Sequence, residues 1–167
     1  MSQLEFFFDY SCPYCLHGYR DLTELLPKYP RAELVWRPVE AHPRPEDWIH
    51  SDLCVQALLF ALENGIDPFA FSARMFQAIY EDKVEIEDAA ALAECFRELL
   101  DADALLAALR EGRYLRQNLD MNDYAYEESG VWAVPSYRMD GRKLDAVEGV
   151  GVTKKQLADF LALAGQL

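Results

Sequence analysis

Phe6-Phe7-Phe8-Asp9-Tyr10-Ser11-Cys12-Pro13-Tyr14-Cys15 runs from three consecutive aromatics into a closely spaced pair of cysteines. Gln3 to Phe8 is short, mostly apolar and rich in aromatics, the composition of a buried strand. A helix is expected from about Cys12 to Lys28. Ser11 is a candidate N-cap, because its hydroxyl can accept from the unpaired amides of a first turn. Pro13 is tolerated in that turn, where its missing N–H costs nothing. Pro27 and Pro30 bracket the helix end. Ala32 to Val39, with Leu34, Val35 and Trp36, reads as a second strand. Strand, helix and strand in this order make a βαβ unit, hence a parallel pair with a right-handed crossover.

Beyond this unit the character changes. Ala41-His42-Pro43-Arg44-Pro45 interrupts regular structure. Helices are expected over Glu46–Asn64, ending at Gly65, and from Asp67-Pro68 to about Tyr80. Further helices are expected over Glu87–Leu99 and Asp103–Arg110, with Gly112 as a stop. Leu92, Cys95, Phe96 and Leu99 fall on one apolar face. Another helix is expected from about Tyr114 to Glu128. Near the end, Ser136–Met139 and Lys143–Glu148 read as strands joined by an Asp140-Gly141 hairpin turn. Thr153 is placed to cap a final helix through Leu163. The fold class is therefore α/β, a mixed sheet with an all-helical insertion. Residues 1–45 and 112–167 would form the sheet domain and 46–111 the insertion.

Composition narrows the functions open to the chain. Its 167 residues carry 16 Lys and Arg against 29 Asp and Glu, a formal net charge of −13. A phosphate backbone or an anionic membrane surface would repel such a chain. No nucleic-acid or membrane partner is therefore expected. No segment is long and apolar enough to span a bilayer. Met1-Ser2-Gln3-Leu4-Glu5 lacks a basic leader pattern, so a cytoplasmic location is expected.

Cys12 and Cys15 form a C-x-x-C where a strand ends and a helix begins. The unpaired amides and dipole of a helix N-terminus favour an anion, and a thiolate is one. Such sites lower a cysteine pKa from about 8.5 to roughly 3.5–7.5. Cys12 is then an activated nucleophile. Cys15, three residues on and on the same helix face, suits a resolving thiol. Half a zinc site is the rival reading of the pair. Cys54 and Cys95 stand far apart, and His17, His42 and His50 have no ligand spacing, so no metal is expected.

Val134-Pro135 precedes the strand Ser136–Met139. If its bond is cis, the Val134 backbone can turn outward and pair with an extended substrate beside Cys12. An ordinary loop proline is the competing reading. Asp9 either relays protons or raises the thiol pKa, or simply forms a turn at the strand end. His17 falls off the face of Cys12 and is read as solvent-facing or packing. Cys54 and Cys95 are read as small buried hydrophobes. Trp48, Phe60, Phe69, Phe71, Phe76 and Tyr80 are read mostly as core of the insertion.

These motifs together resemble the DsbA-like family of thioredoxin-fold oxidoreductases, especially its short cytoplasmic members. The resemblance rests on Phe7 to Cys15, on Trp36-Arg37-Pro38-Val39-Glu40 with His42-Pro43, and on Gly130-Val131-Trp132-Ala133-Val134-Pro135-Ser136-Tyr137. It implies a thioredoxin-like fold and a protein disulfide oxidoreductase with Cys12, Cys15 and Pro135 as catalytic residues. Pro13, Tyr14 and Val134 would contact the substrate, a protein or small-molecule thiol or disulfide. It implies a cis bond at Pro135, facing Cys12. No organic cofactor is implied, and glutathione is admitted as a reductant or co-substrate. Glutathione-dependent 2-hydroxychromene-2-carboxylate isomerases and kappa-class transferases share the superfamily and form the alternative. They usually carry serine where Cys12 stands, and this chain lacks an acid near the start of its last helix.

Overall fold

A computed structural model describes residues 1–166 of the chain. The chain divides into two compact units, Met1–Ala41 with Asp123–Leu167, and His42–Asn122. These boundaries lie near 41 and 122, against the expected 45 and 111. The difference comes mainly from the helix Leu115–Asp123, most of which belongs with the helical unit. Its Asn118 is buried there and accepts a hydrogen bond from Gln56 at 3.4 Å.

The first unit is built on a four-stranded mixed sheet. Its strands are β1 (Ser2–Phe8), β2 (Ala32–Pro38), β3 (Ser136–Met139) and β4 (Arg142–Asp145), in the order β2-β1-β3-β4. β1 pairs parallel to β2, with Phe6 opposite Trp36, and antiparallel to β3, with Phe6 opposite Tyr137. As an inner strand it is covered on both faces, which explains its run of aromatics. On one face Phe6 stacks on Phe8 and Tyr137. On the other, Phe7 packs with Val39, Ala125 and Val131. Burying each of these phenylalanines contributes about 1.5–3 kcal/mol. β3 and β4 form the expected hairpin, with positive φ at both Asp140 and Gly141. Two such residues in succession suit the right-handed twist of paired strands.

Helix α1 (Pro13–Leu25) buries Cys15, Gly18, Tyr19, Leu22 and Leu25, and a 3-10 turn, Leu26–Lys28, continues it. Ser11 is not its N-cap. Cys12 holds that position, and the Ser11 hydroxyl donates to the Asp9 carboxylate instead. Gly18 explains how closely α1 can lie on the sheet. A Cβ there would come 2.7 Å from the Tyr137 hydroxyl and 3.6 Å from the Pro135 Cβ.

The second unit holds α2 (Asp52–Glu63), α3 (Pro68–Tyr80), α4 (Ala89–Glu94), α5 (Ala102–Glu111) and most of α6 (Leu115–Asp123). α2 starts six residues later than expected. Glu46 to His50 is held by tertiary bonds, in which the His50 ring meets the Glu87 carboxylate at 3.0 Å and the Glu46 carbonyl at 2.9 Å. α4 ends at Glu94 rather than Leu99. There the Cys95 carbonyl accepts from Arg74 Nε at 2.9 Å, which replaces a helical partner. Phe60, Phe71 and Phe76 are core, whereas Trp48 is exposed. Cys54 is fully buried, and Cys95 is only half-buried. α6 gives way to a single π turn, Tyr124–Glu128, where ordinary helix was expected. The last helix, α7 (Lys154–Leu161), packs against α1 and is shorter than the sequence pattern suggests.

Candidate functional site

Cys12 stands between the end of β1 and the start of α1. Its backbone is extended (φ −96°, ψ 119°), its N–H donates to the Asp9 carbonyl at 3.0 Å, and its carbonyl accepts the Cys15 N–H at 3.0 Å. The sulfur is partly exposed, whereas Cys15 is fully buried. No side-chain oxygen caps α1, so its first amides are left for the Cys12 sulfur.

The two thiols diverge for physical reasons. The Cys15 thiol donates a hydrogen bond to the Cys12 sulfur and is the largest influence lowering the Cys12 pKa. Partial burial opposes it, the N–H groups of Cys15 and Tyr14 add to it, and the negative charge of Asp9 opposes it. The net result is a Cys12 thiol lowered to about 7. Burial, followed by the bond to Cys12 and that sulfur's charge, pushes Cys15 well above the ordinary thiol range. One sulfur is thus poised to ionise near neutrality while its neighbour keeps its proton.

The Val134–Pro135 bond is cis. The Val134 carbonyl faces Cys12, with its oxygen 3.8 Å from Sγ. Pro135 lies against Gly18 on α1. Pro13 is exposed at the first helical position, and Tyr14 is exposed on one side. The other side of the Tyr14 ring lies on Gly151, where an added Cβ would meet ring carbons at 3.0 and 3.3 Å. Six expected site residues therefore converge: Cys12, Cys15, Val134 and Pro135 around the sulfurs, Pro13 and Tyr14 beside them. His17 is exposed. Sequence reasoning missed Gly18 and Gly151. A glycine inside a helical pattern costs about 1 kcal/mol relative to alanine, and that cost was the available signal for Gly18.

Asp9 closes the site from behind. Its side chain is buried and accepts from the Ser11 N–H at 2.8 Å, the Ser11 hydroxyl at 2.7 Å and the Ala41 N–H at 2.8 Å. Its own N–H points at the Cys15 sulfur, 3.4 Å away. Among the described residues, no group of three or more His, Cys, Asp or Glu could hold a metal ion. Nor is any helix among them long and apolar enough to cross a membrane.

This chain belongs to the DSBA-like thioredoxin domain family, whose model matches residues 3–161. YwbO, an uncharacterized protein of Bacillus subtilis, is 23% identical over 188 aligned positions, spanning 90% of this chain and 93% of YwbO. A probable DsbA oxidoreductase from Streptomyces coelicolor has a similar crystal structure, with a TM-score of 0.83 at 17% identity, covering 100% of this chain and 92% of that one. A thioredoxin-like oxidoreductase from Silicibacter pomeroyi gives a TM-score of 0.70 at 21% identity, covering 99% and 87% of the two chains. At these identities the likeness is one of fold, an α/β thioredoxin-like architecture.

Proposed function

We propose that the protein is a thiol–disulfide oxidoreductase acting through Cys12 and Cys15. The observation that carries this reading is the asymmetry of the two sulfurs. Cys12 is accessible and lowered to about 7, and Cys15 is buried and pushed up. The Cys12 thiolate attacks one sulfur of a substrate disulfide. A Cys12–substrate bond forms, the substrate S–S bond breaks, and the departing sulfur takes a proton. Cys15 then loses its proton and attacks the Cys12 sulfur. The intramolecular disulfide forms, and two electrons have passed to the substrate as its second thiol leaves. The reverse sequence oxidises a dithiol substrate.

The Val134 main chain lies beside Cys12, where an extended segment can pair with it as an added strand. Pro13 and Tyr14 flank that position. The substrates of this reading are protein or small-molecule disulfides and thiols, with glutathione as a co-substrate. A cytoplasmic location belongs to the same proposal, and cell fractionation tests it.

A redox titration against glutathione, quenched by alkylation and read by mass spectrometry, tests the mechanism. A reversible Cys12–Cys15 disulfide at a defined potential is the expected result. In the Cys15→Ser variant the mixed disulfide on Cys12 should accumulate. If Cys12 in the unaltered protein only gathers glutathione that Cys15 never displaces, the dithiol mechanism is wrong and a glutathione-dependent isomerase or transferase takes its place.

A further inference from the structure

Asp9 touches both halves of the cysteine pair without belonging to it. Its carbonyl accepts the Cys12 N–H at 3.0 Å, and its N–H reaches the Cys15 sulfur at 3.4 Å. One residue's main chain therefore fixes both cysteines. The side chain in turn fixes that main chain. One carboxylate oxygen takes the Ser11 N–H and hydroxyl, and the other takes the Ala41 N–H. The first clasp closes the turn between β1 and α1. The second ties that turn to the chain leaving β2, which ends at Pro38.

We propose that Asp9 is the positioning residue of the redox pair, its clasped carboxylate holding the turn that orients both sulfurs and carrying a negative charge in that same turn. Hydrogen bonds from the Ser11 N–H and hydroxyl and the Ala41 N–H hold the carboxylate in place as an acceptor. A buried charge acts on a neighbouring anion more strongly than a solvated one. Its sign opposes a thiolate at Cys12, in keeping with the direction of its effect on both thiols. The carboxylate therefore favours the disulfide over the reduced pair, with its Cys12 thiolate and Cys15 thiol, and moves the pair toward the reducing side. This assignment deepens the oxidoreductase reading and rests on it for its consequence in electron flow.

The test is the Cys12 pKa of Asp9→Asn, read from thiolate absorbance of the reduced protein. Asparagine keeps an oxygen for Ser11 and removes the charge, at the loss of the bond from the Ala41 N–H. The expected result is a Cys12 pKa below the unaltered value of about 7. A lower equilibrium constant for disulfide formation against glutathione should accompany it, each tenfold fall being about 30 mV. A residue that only shaped the turn would give the opposite sign, because a loosened turn returns Cys12 toward the ordinary thiol value. An unchanged or raised pKa overturns the assignment. Ser11→Ala keeps the charge and loosens the clasp, so it should raise the Cys12 pKa; the assignment requires the two variants to move the pKa in opposite directions, and the same direction in both contradicts it. Asp9→Ser, a smaller neutral acceptor, takes the place of Asp9→Asn where that variant does not fold. The pKa is read without turnover, so a failed Asp9 assignment and a failed exchange mechanism give separate results.

Discussion

The two helices that pack together in the sheet unit begin in opposite ways. α7 starts at Thr153 with a complete capping box. The Thr153 hydroxyl accepts from the Gln156 N–H at 3.1 Å, and the Gln156 side chain accepts from the Thr153 N–H at 2.9 Å. α1 starts at Cys12 with no side-chain cap at all. α7 uses side-chain oxygens to satisfy its N-terminal amides. α1 offers them none, and a thiolate profits from the N–H groups of its first turn and the same end of the dipole. α3, α4 and α5 resemble α7, each with an aspartate accepting at its start. α2, after Ser51, also starts without a side-chain cap, so what sets α1 apart is the nucleophile carried at its uncapped end, and local departures of this kind mark functional sites.

The contrast breaks most visibly at Cys12→Ser. Disulfide exchange should fall to the uncatalysed background, measured with a fluorescent disulfide substrate. Because serine is a favoured N-cap, the same variant should gain up to about 1 kcal/mol in urea unfolding of the reduced protein. Loss of activity with gain of stability is the signature of an end kept open for chemistry.

Gly18→Ala tests how the open end is seated. Overpacking costs about 1–3 kcal/mol and helix propensity returns about 1 kcal/mol. The Tyr137 hydroxyl that the new Cβ meets is fully buried and cannot swing away. A net loss of about 1–2 kcal/mol is expected in urea unfolding. Thr153→Ala has the smallest effect, about 1 kcal/mol of stability with the Cys12 pKa unchanged. A changed Cys12 pKa in that variant would mean that the two helix starts are not independent.

Much of this arrangement was legible in the sequence because its signals are local. The aromatics of β1, the Asp140-Gly141 turn, Thr153 before α7 and the C-x-x-C at a strand–helix junction each announce themselves within a few residues. The failures share another cause. Glu46 to His50 contains good helix formers, yet Glu87 lies 37 positions from the histidine it binds. Arg74 takes the carbonyl that stops the helix near Cys95 from the neighbouring α3. Ser11 suits a cap by local preference, whereas its hydroxyl is taken by the buried Asp9. The convergence of Val134 and Cys12 spans 122 positions, and only the family resemblance, not the local pattern, put them together.

The most direct test of an activated Cys12, lowered first by the Cys15 thiol and then by the N–H groups at the start of α1, is the pH dependence of its alkylation by iodoacetamide in the reduced protein. Only the thiolate reacts, so the rate should rise with pH and level off through a midpoint of about 7. A midpoint at the ordinary cysteine value of about 8.5 would show that neither the Cys15 thiol nor the end of α1 lowers the sulfur's pKa, and would contradict the account.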